Sequence, residues 1–204
     1  MNVLLINGSP HEKGCTYTAL SEVAGELNKN GFETRIYHMG NDPVMGCRAC
    51  GACRKTNVCV QDGDRCNEII RLARDAQGLI IGSPVYFAGA NGALCALLDR
   101  VFFAGRAAFT YKPGAAVVSC RRGGAGSAFD RLNKYFTISN MPVVSSQYWN
   151  SVHGNTPDEV RQDAEGLQVM RTLGRNMAWL LQSIKAGNLP TPEPEPRVNT
   201  NFIR

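Results

Sequence analysis

The stretch NVLLINGSPHEKGCT (residues 2–16) joins an apolar run to a glycine-bounded loop and then to the start of a helical pattern. Val3 to Ile6 is uninterrupted by any polar residue, as expected of a parallel strand covered on both faces. From Thr16 to Lys29, Leu20, Val23, Ala24 and Leu27 recur at helical spacing, and NKNG closes the helix at Gly31. Strand, glycine loop and helix make the first unit of an alternation that the rest of the chain repeats.

FETRIYHM (32–39) alternates in the manner of a half-exposed second strand, and a helix is expected from about Asp64 to Ala76. GLIIGSPVYF (78–87) is a third, buried strand. Asn91 can cap the helix GALCALLDRVFF, GAAVVSC (114–120) is a fourth strand, AFDRLNKYF a helix, and MPVVSSQYW (141–149) a fifth strand. Thr156, Pro157 and Glu159 supply a cap, a first-turn proline and a capping box for a last helix, expected to run to Lys185 with a bend near Gly166 or Gly174. Parallel strands need long crossovers, and here the crossovers are helical. The expectation is one α/β domain, residues 1–188, built on a doubly wound five-stranded parallel sheet with helices on both faces. PTPEPEPR (190–197) holds four prolines in eight residues, so residues 189–204 form an extended arm.

Composition narrows the function classes. Hydrophobic residues make up 44% of the 204 and charged residues 19%, the balance of a globular domain, and no apolar run is long enough to span a bilayer. The net charge of +5 is scattered, which disfavours nucleic acid and suits an anionic cofactor or substrate. MNVLLINGSP lacks the features of a signal peptide, so a reducing cytoplasm is expected, where eight cysteines point to metal or redox chemistry more than to a disulfide framework.

In a doubly wound sheet, ligands bind at the carboxyl ends of the strands where strand order reverses. GSPHEKGCT carries neither G-x-G-x-x-G nor the Gly-Lys pair of a Walker loop. What remains is a set of hydroxyls and backbone N–H groups at a helix N-terminus, suited to one compact phosphate: Ser9, Pro10, Gly14, Cys15 and Thr16. The alternative is a turn in which Ser9 and Thr16 merely cap. The third strand again ends in Gly-Ser-Pro, and Pro84, Val85, Tyr86 and Phe87 there can border a flat ring, so the pair of loops suits FMN. The fourth strand ends in SCRRGG, which adds Ser119, Arg121, Arg122 and Gly123, with cations placed for a reduced flavin or a pyridine nucleotide phosphate. Cys15, at a helix N-terminus, is expected to have a depressed thiol pKa. No Ser-His-Asp set or carboxylate pair points to hydrolysis, and no side chain is assigned as catalytic.

NGSPHEKGCT, GSPVYF followed by LLDR, and SCRRGG resemble the flavodoxin-like NADPH-dependent FMN reductases over nearly the whole domain. The resemblance implies FMN phosphate on the first loop, the isoalloxazine ring against the Gly-Ser-Pro-Val-Tyr segment, NAD(P)H as electron donor, and a homodimer or homotetramer with flavin near the interface. His11 and Cys15 stand where that family often has arginine and asparagine.

GCRACGACRKTNVC (46–59), within the cysteine-rich loop at 46–66, places Cys47, Cys50, Cys53 and Cys59 in C-x2-C-x2-C-x5-C spacing. That is tight for a closed zinc site, and the ferredoxin pattern differs in its fourth cysteine. The motif resembles that of the iron-sulfur flavoproteins of the same family, implying a [4Fe-4S] cluster; a disulfide and free thiols are the other readings. Cys66, Cys95 and Cys120 are expected not to be ligands. The activity expected is an FMN-dependent NAD(P)H oxidoreductase. A carrier taking electrons from ferredoxin and a cofactor-free zinc module are the rivals.

Overall fold

The structure, a computed structural model, describes residues 1–196, 198–200 and 202. Five parallel strands lie in the order β2-β1-β3-β5-β6: β1 (Asn2–Asn7), β2 (Glu33–His38), β3 (Gly78–Tyr86), β5 (Gly114–Cys120) and β6 (Ser151–His153). A sixth strand, β4 (Gly89–Ala90), folds back antiparallel on the end of β3. The parallel, doubly wound, flavodoxin-like architecture is as expected, with six strands rather than five. Order reverses between β1 and β3, whose carboxyl ends meet at Asn7 opposite Gly82.

Alternation along β1 explains the two layers. Val3 and Leu5 face one side, where α1 (Cys15–Lys29) and α7 (Ala164–Gly187) pack through Leu20, Val23, Leu27, Met170 and Leu173. Leu4 and Ile6 face the other, against α3 (Cys66–Asp75), α4 (Gly92–Ala104) and α5 (Ala125–Ile138). Every one of these side chains is buried, and each is worth roughly 1.5–3 kcal/mol over an exposed position. The period of two is the reason both faces of one strand read as a single apolar run.

Two expectations fail locally. Residues 141–149 are not a strand: the ladder starts, with Gly114 bonded to Pro142 and Val144, and then stops. Pro142 has no N–H to give, and Ser146 instead donates its hydroxyl to Val169 O on α7 at 2.7 Å. The strand resumes only at Ser151. The last helix is two, α6 (Pro157–Gln162) and α7, parted at Asp163 rather than bent at a glycine. Asp163 accepts from Gly166 N at 2.9 Å and from His153 N at 2.7 Å, so one carboxylate caps α7 and ties it to β6. Thr156 caps α6 as expected. The described residues of the arm, 189–196, 198–200 and Phe202, are exposed; Ile203 lies outside the described residues.

Candidate functional site

The loop after β1 is held closed by its own side chains. Asn7, fully buried, accepts from Ser9 N and donates to Glu12 O, and the Ser9 hydroxyl accepts from His11 N at 3.1 Å. Asn91 donates to Gly8 O at 2.8 Å through its side chain, caps α4 by accepting from Ala93 N, and donates its backbone N–H to Ser83 Oγ at 2.9 Å. His38 Nε2 bonds Ser9 O at 2.8 Å. A Cβ on Gly8 would lie 2.4 Å from Leu94 Cδ2 and 2.8 Å from Gly82 O, so only glycine lets the loop pass this close to β3.

At the end of this loop α1 begins without a side-chain cap and with no acidic residue in its first turn. Its opening N–H groups therefore lack an acceptor from Gly14, which is the electrostatic condition for an anion. Thr16 is buried and its hydroxyl lies 2.8 Å from that of Ser119, also buried, at the end of β5. Two hydroxyls from distant parts of the chain thus meet beside the uncapped turn. Cys15 departs from expectation: burial pushes its thiol pKa up, outweighing the lowering by its own backbone N–H, and its Sγ points to Gly154 O at 3.7 Å. Desolvation outweighs the backbone hydrogen bond at this position.

The ring-bordering segment is a tight hairpin. Phe87 and Ala88 both adopt left-handed backbone, φ 49° and 59°, between Tyr86 and Gly89, and the Phe87 side chain is fully exposed. A bulky residue in this conformation carries a cost of roughly 1–2 kcal/mol. Gly124, at φ 90°, lets the loop after β5 touch the hairpin: a Cβ there would lie 2.7 Å from Ala88 Cα. Pro84 pairs in register with Ser119, and Val85 is half-buried beneath the turn. Arg121, Arg122 and Gly123 follow β5 and are all exposed. The structure therefore brings together Ser9, Pro10, Gly14, Thr16, Pro84, Val85 and Ser119 on one edge of the sheet, with Tyr86, Phe87 and the two arginines standing out from it.

The cysteine loop leaves the same edge. Cys47, Cys50, Cys53 and Cys59 line one pocket with Gln61, Arg100 and Phe103, and all four are free thiols. Cys47 and Cys50 are exposed; Cys53 opens a one-turn helix, α2 (Cys53–Thr56), and with Cys59 is half-buried. Asn67 accepts from Cys59 N and donates to Cys59 O, both at 2.8 Å. Burial raises the Cys59 thiol pKa, but the Arg100 hydrogen bond, the Gln61 N–H and the Arg100 charge together bring it below its ordinary value. Burial pushes Cys53 up, and Cys66 up to about 12. Among the described residues no three His, Cys, Asp or Glu side chains are gathered as a single metal ion needs. Four soft thiols around one pocket fit an iron-sulfur group in donor chemistry. Cys66 and Cys120 are buried and Cys95 half-buried, outside that pocket.

Asn7, His38, Asn91 and Arg100 shape these loops; of them Asn91 is expected from the sequence as a cap and His38 as a surface or hydrogen-bonded structural histidine, while Arg100 enters only as the end of the LLDR motif. Arg100 left a signal: it lies three residues after Leu97 and four before Ala104, on the apolar stripe of α4, where a charge needs a reason.

A family model for NADPH-dependent FMN reductase matches residues 1–156. An iron-sulfur flavoprotein of Methanocaldococcus jannaschii is 30% identical over 199 residues, covering 91% of this chain and all of the relative. Another from Methanosarcina thermophila is 33% identical over 190 residues, covering 91% of this chain and 97% of the relative. The chain belongs to the NADPH-dependent FMN reductase family, in its iron-sulfur flavoprotein branch. Among solved structures, RosB with a bound 8-demethyl-8-formylriboflavin-5'-phosphate intermediate superposes with a TM-score of 0.66 at 13% identity, over 100% of this chain and 94% of that one. A flavodoxin from the domain Archaea gives 0.62 at 13%, over 89% and 99%. At such identities the likeness establishes the fold. No helix among the described residues is long and apolar enough to cross a membrane.

Proposed function

We propose that this protein is an FMN-dependent NAD(P)H oxidoreductase that passes electrons from a pyridine nucleotide through FMN to an acceptor, with an iron-sulfur cluster at Cys47, Cys50, Cys53 and Cys59 as a second station. The observation that carries the flavin assignment is the uncapped first turn of α1 beside the buried hydroxyls of Thr16 and Ser119. Bound FMN supplies hydride acceptance at its N5 and release of electrons one or two at a time. The chain's residues supply position and charge. Ser9, Thr16 and the N–H groups of Cys15 and Thr16 hold the phosphate, and Gly14 leaves room for it. Pro84, Val85, Tyr86 and Phe87 border the ring, and Arg121 and Arg122 put positive charge at the open side of the site. No side chain has to give or take a proton for hydride transfer.

A bound cluster would supply one-electron chemistry, held by the four thiols, with Asn67 fixing the backbone of Cys59. We place the protein in a homodimer or homotetramer in the cytoplasm, with the exposed Phe87 hairpin near the subunit contact. The deciding experiment is purification without air, followed by the visible spectrum, iron and sulfide content, and stopped-flow mixing with NADH and NADPH. Flavin bleaching by either nucleotide is the expected result. Flavin and iron present, with bleaching only by reduced ferredoxin, would make the protein an electron carrier. A colourless, zinc-loaded preparation would overturn both.

A further inference from the structure

We propose that Arg100 is the positioning residue of the cysteine pocket: it pins Cys59 and both flanks of the loop, and it raises the reduction potential of the iron-sulfur group held there. This rests on the reading of the four cysteines just given.

Arg100 is 1% exposed and heads the fully buried side chains by volume. A guanidinium buried without good partners costs several kcal/mol, so its partners explain its presence. Its Nε donates to Cys59 Sγ at 3.3 Å, one terminal nitrogen donates to Met45 O at 3.2 Å and to the Asp64 carboxylate, and the other donates to Gln61 O at 2.5 Å. Met45 precedes the first cysteine and Gln61 follows the last. One side chain on a rigid helix therefore fastens the loop where it arrives and where it leaves. Lysine, a point charge on a flexible stem, cannot make this fork.

The electrostatic consequence follows from the same contacts. Reduction adds negative charge to the group and its sulfurs, and a cationic N–H donated to a ligand sulfur stabilises that charge. Asp64, 8% exposed in its side chain and paired with the same guanidinium, offsets part of the effect. Arg100 and Asp64 should therefore move the potential in opposite directions. Because Asn67 holds the Cys59 backbone separately, the loss of Arg100 leaves that ligand in the pocket.

The test compares full-length wild type, Arg100→Gln, Arg100→Lys and Asp64→Asn, prepared and reconstituted without air, with FMN content as the check on folding. In a redox titration followed by electron paramagnetic resonance, Arg100→Gln should lower the reduced-to-oxidised ratio at fixed potential by about tenfold, about 59 mV for a one-electron couple. Arg100→Lys should fall between Arg100→Gln and wild type, and Asp64→Asn should shift upward. Should Arg100→Gln lose FMN, the other two variants decide. Unchanged potentials in flavin- and iron-replete variants overturn the electrostatic role. Limited proteolysis of residues 45–61 in metal-free protein judges positioning by itself: about tenfold faster cleavage in Arg100→Gln is expected from the lost charge-assisted bonds, and equal rates overturn it. Wild type that takes up no iron overturns the cluster reading and with it the potential; the proteolysis still decides the positioning role.

Discussion

β1 and β2 end side by side, Asn7 in register with His38, yet the loops that leave them are built differently. After Asn7 the chain needs only residues 8–14 to enter a helix, and Asn7, Ser9, His38 and Asn91 fasten it with bonds between 2.8 and 3.1 Å. After His38 it wanders through residues 39–65, with one turn of helix, before α3 begins. That loop depends on Arg100, Asn67 and whatever its four sulfurs hold. The fold itself makes the first loop, because the sheet and α1 need that turn with or without a ligand. The second has almost no core of its own, so its shape comes from a buried guanidinium and from its cargo.

This contrast sets an order of effects. The largest is expected in the cysteine loop: replacing any one of Cys47, Cys50, Cys53 or Cys59 by serine should take iron and sulfide from about four per chain, the count of a four-iron cluster, to near zero, while flavin content stays as it was. A loss of flavin in step with iron would mean the two loops are not independent. Gly8→Ala comes next, because its Cβ meets Gly82 O as well as the Leu94 side chain. A cost of roughly 1–3 kcal/mol is expected, read as a lower urea midpoint together with flavin loss. Thr16→Val should act on the ligand more than on the fold. It takes one hydroxyl from the proposed phosphate site, and FMN should dissociate about tenfold more readily, since a hydrogen bond to a charged group is worth about 1.5–3 kcal/mol. Equal retention in Thr16→Val would remove the phosphate from this loop.

Smaller effects belong to the frame behind the loops. Glu26 on α1 is buried and bonds Lys29 and, across to α7, Arg175. These hydrogen bonds hold its pKa below the ordinary 4.5. A carboxyl depressed in the folded state stabilises fully above its unfolded pKa and loses that contribution as pH falls through the folded value. The stability gap between wild type and Glu26→Gln, measured by urea unfolding, should therefore be widest near neutral pH and shrink below 4.5. A gap that grows on acidification would reverse the assignment. Smallest for the single chain is deletion of residues 189–204, a segment to which Tyr111 donates at Pro192 O, 3.3 Å. It should leave the unfolding midpoint alone and weaken the oligomer, as read by light scattering.

The sequence made the first loop legible and left the second half-read, for the same physical reason. Val3 to Ile6, Ile80, Ile81 and Val117 sit between two layers of helix, so burial on both faces imposes an apolar pattern that can be seen without coordinates. Local chemistry likewise showed the Thr156 and Asn91 caps. What it could not show was long-range: that Ser146 and Asp163 would trade a strand and a continuous helix for side-chain bonds to neighbouring elements. Nor does a thiol at a helix start reveal that burial outweighs the backbone hydrogen bond at Cys15. Arg100 was visible as a charge on an apolar stripe, but its partners are 36 to 55 residues away in the chain.

α4 carries Asn91 at its cap and Arg100 nine residues on, and this fixes where the chain tolerates change in length. At the rise of an α-helix the two positions are about 13 Å apart along the axis, and each added residue turns everything beyond it by about 100°. One residue inserted between Gly92 and Asp99 would swing the guanidinium from the cysteine pocket towards solvent or the sheet, while Asn91 still held Gly8. Residues inserted near Asn57, between the two flanks that Arg100 grips, would lengthen an exposed turn that Arg74 holds by donating to Asn57 O at 3.1 Å, at the modest closure cost of a longer loop. Length variation among chains of this design should therefore collect inside the cysteine loop and spare α4, although the helix contributes no ligand to either site.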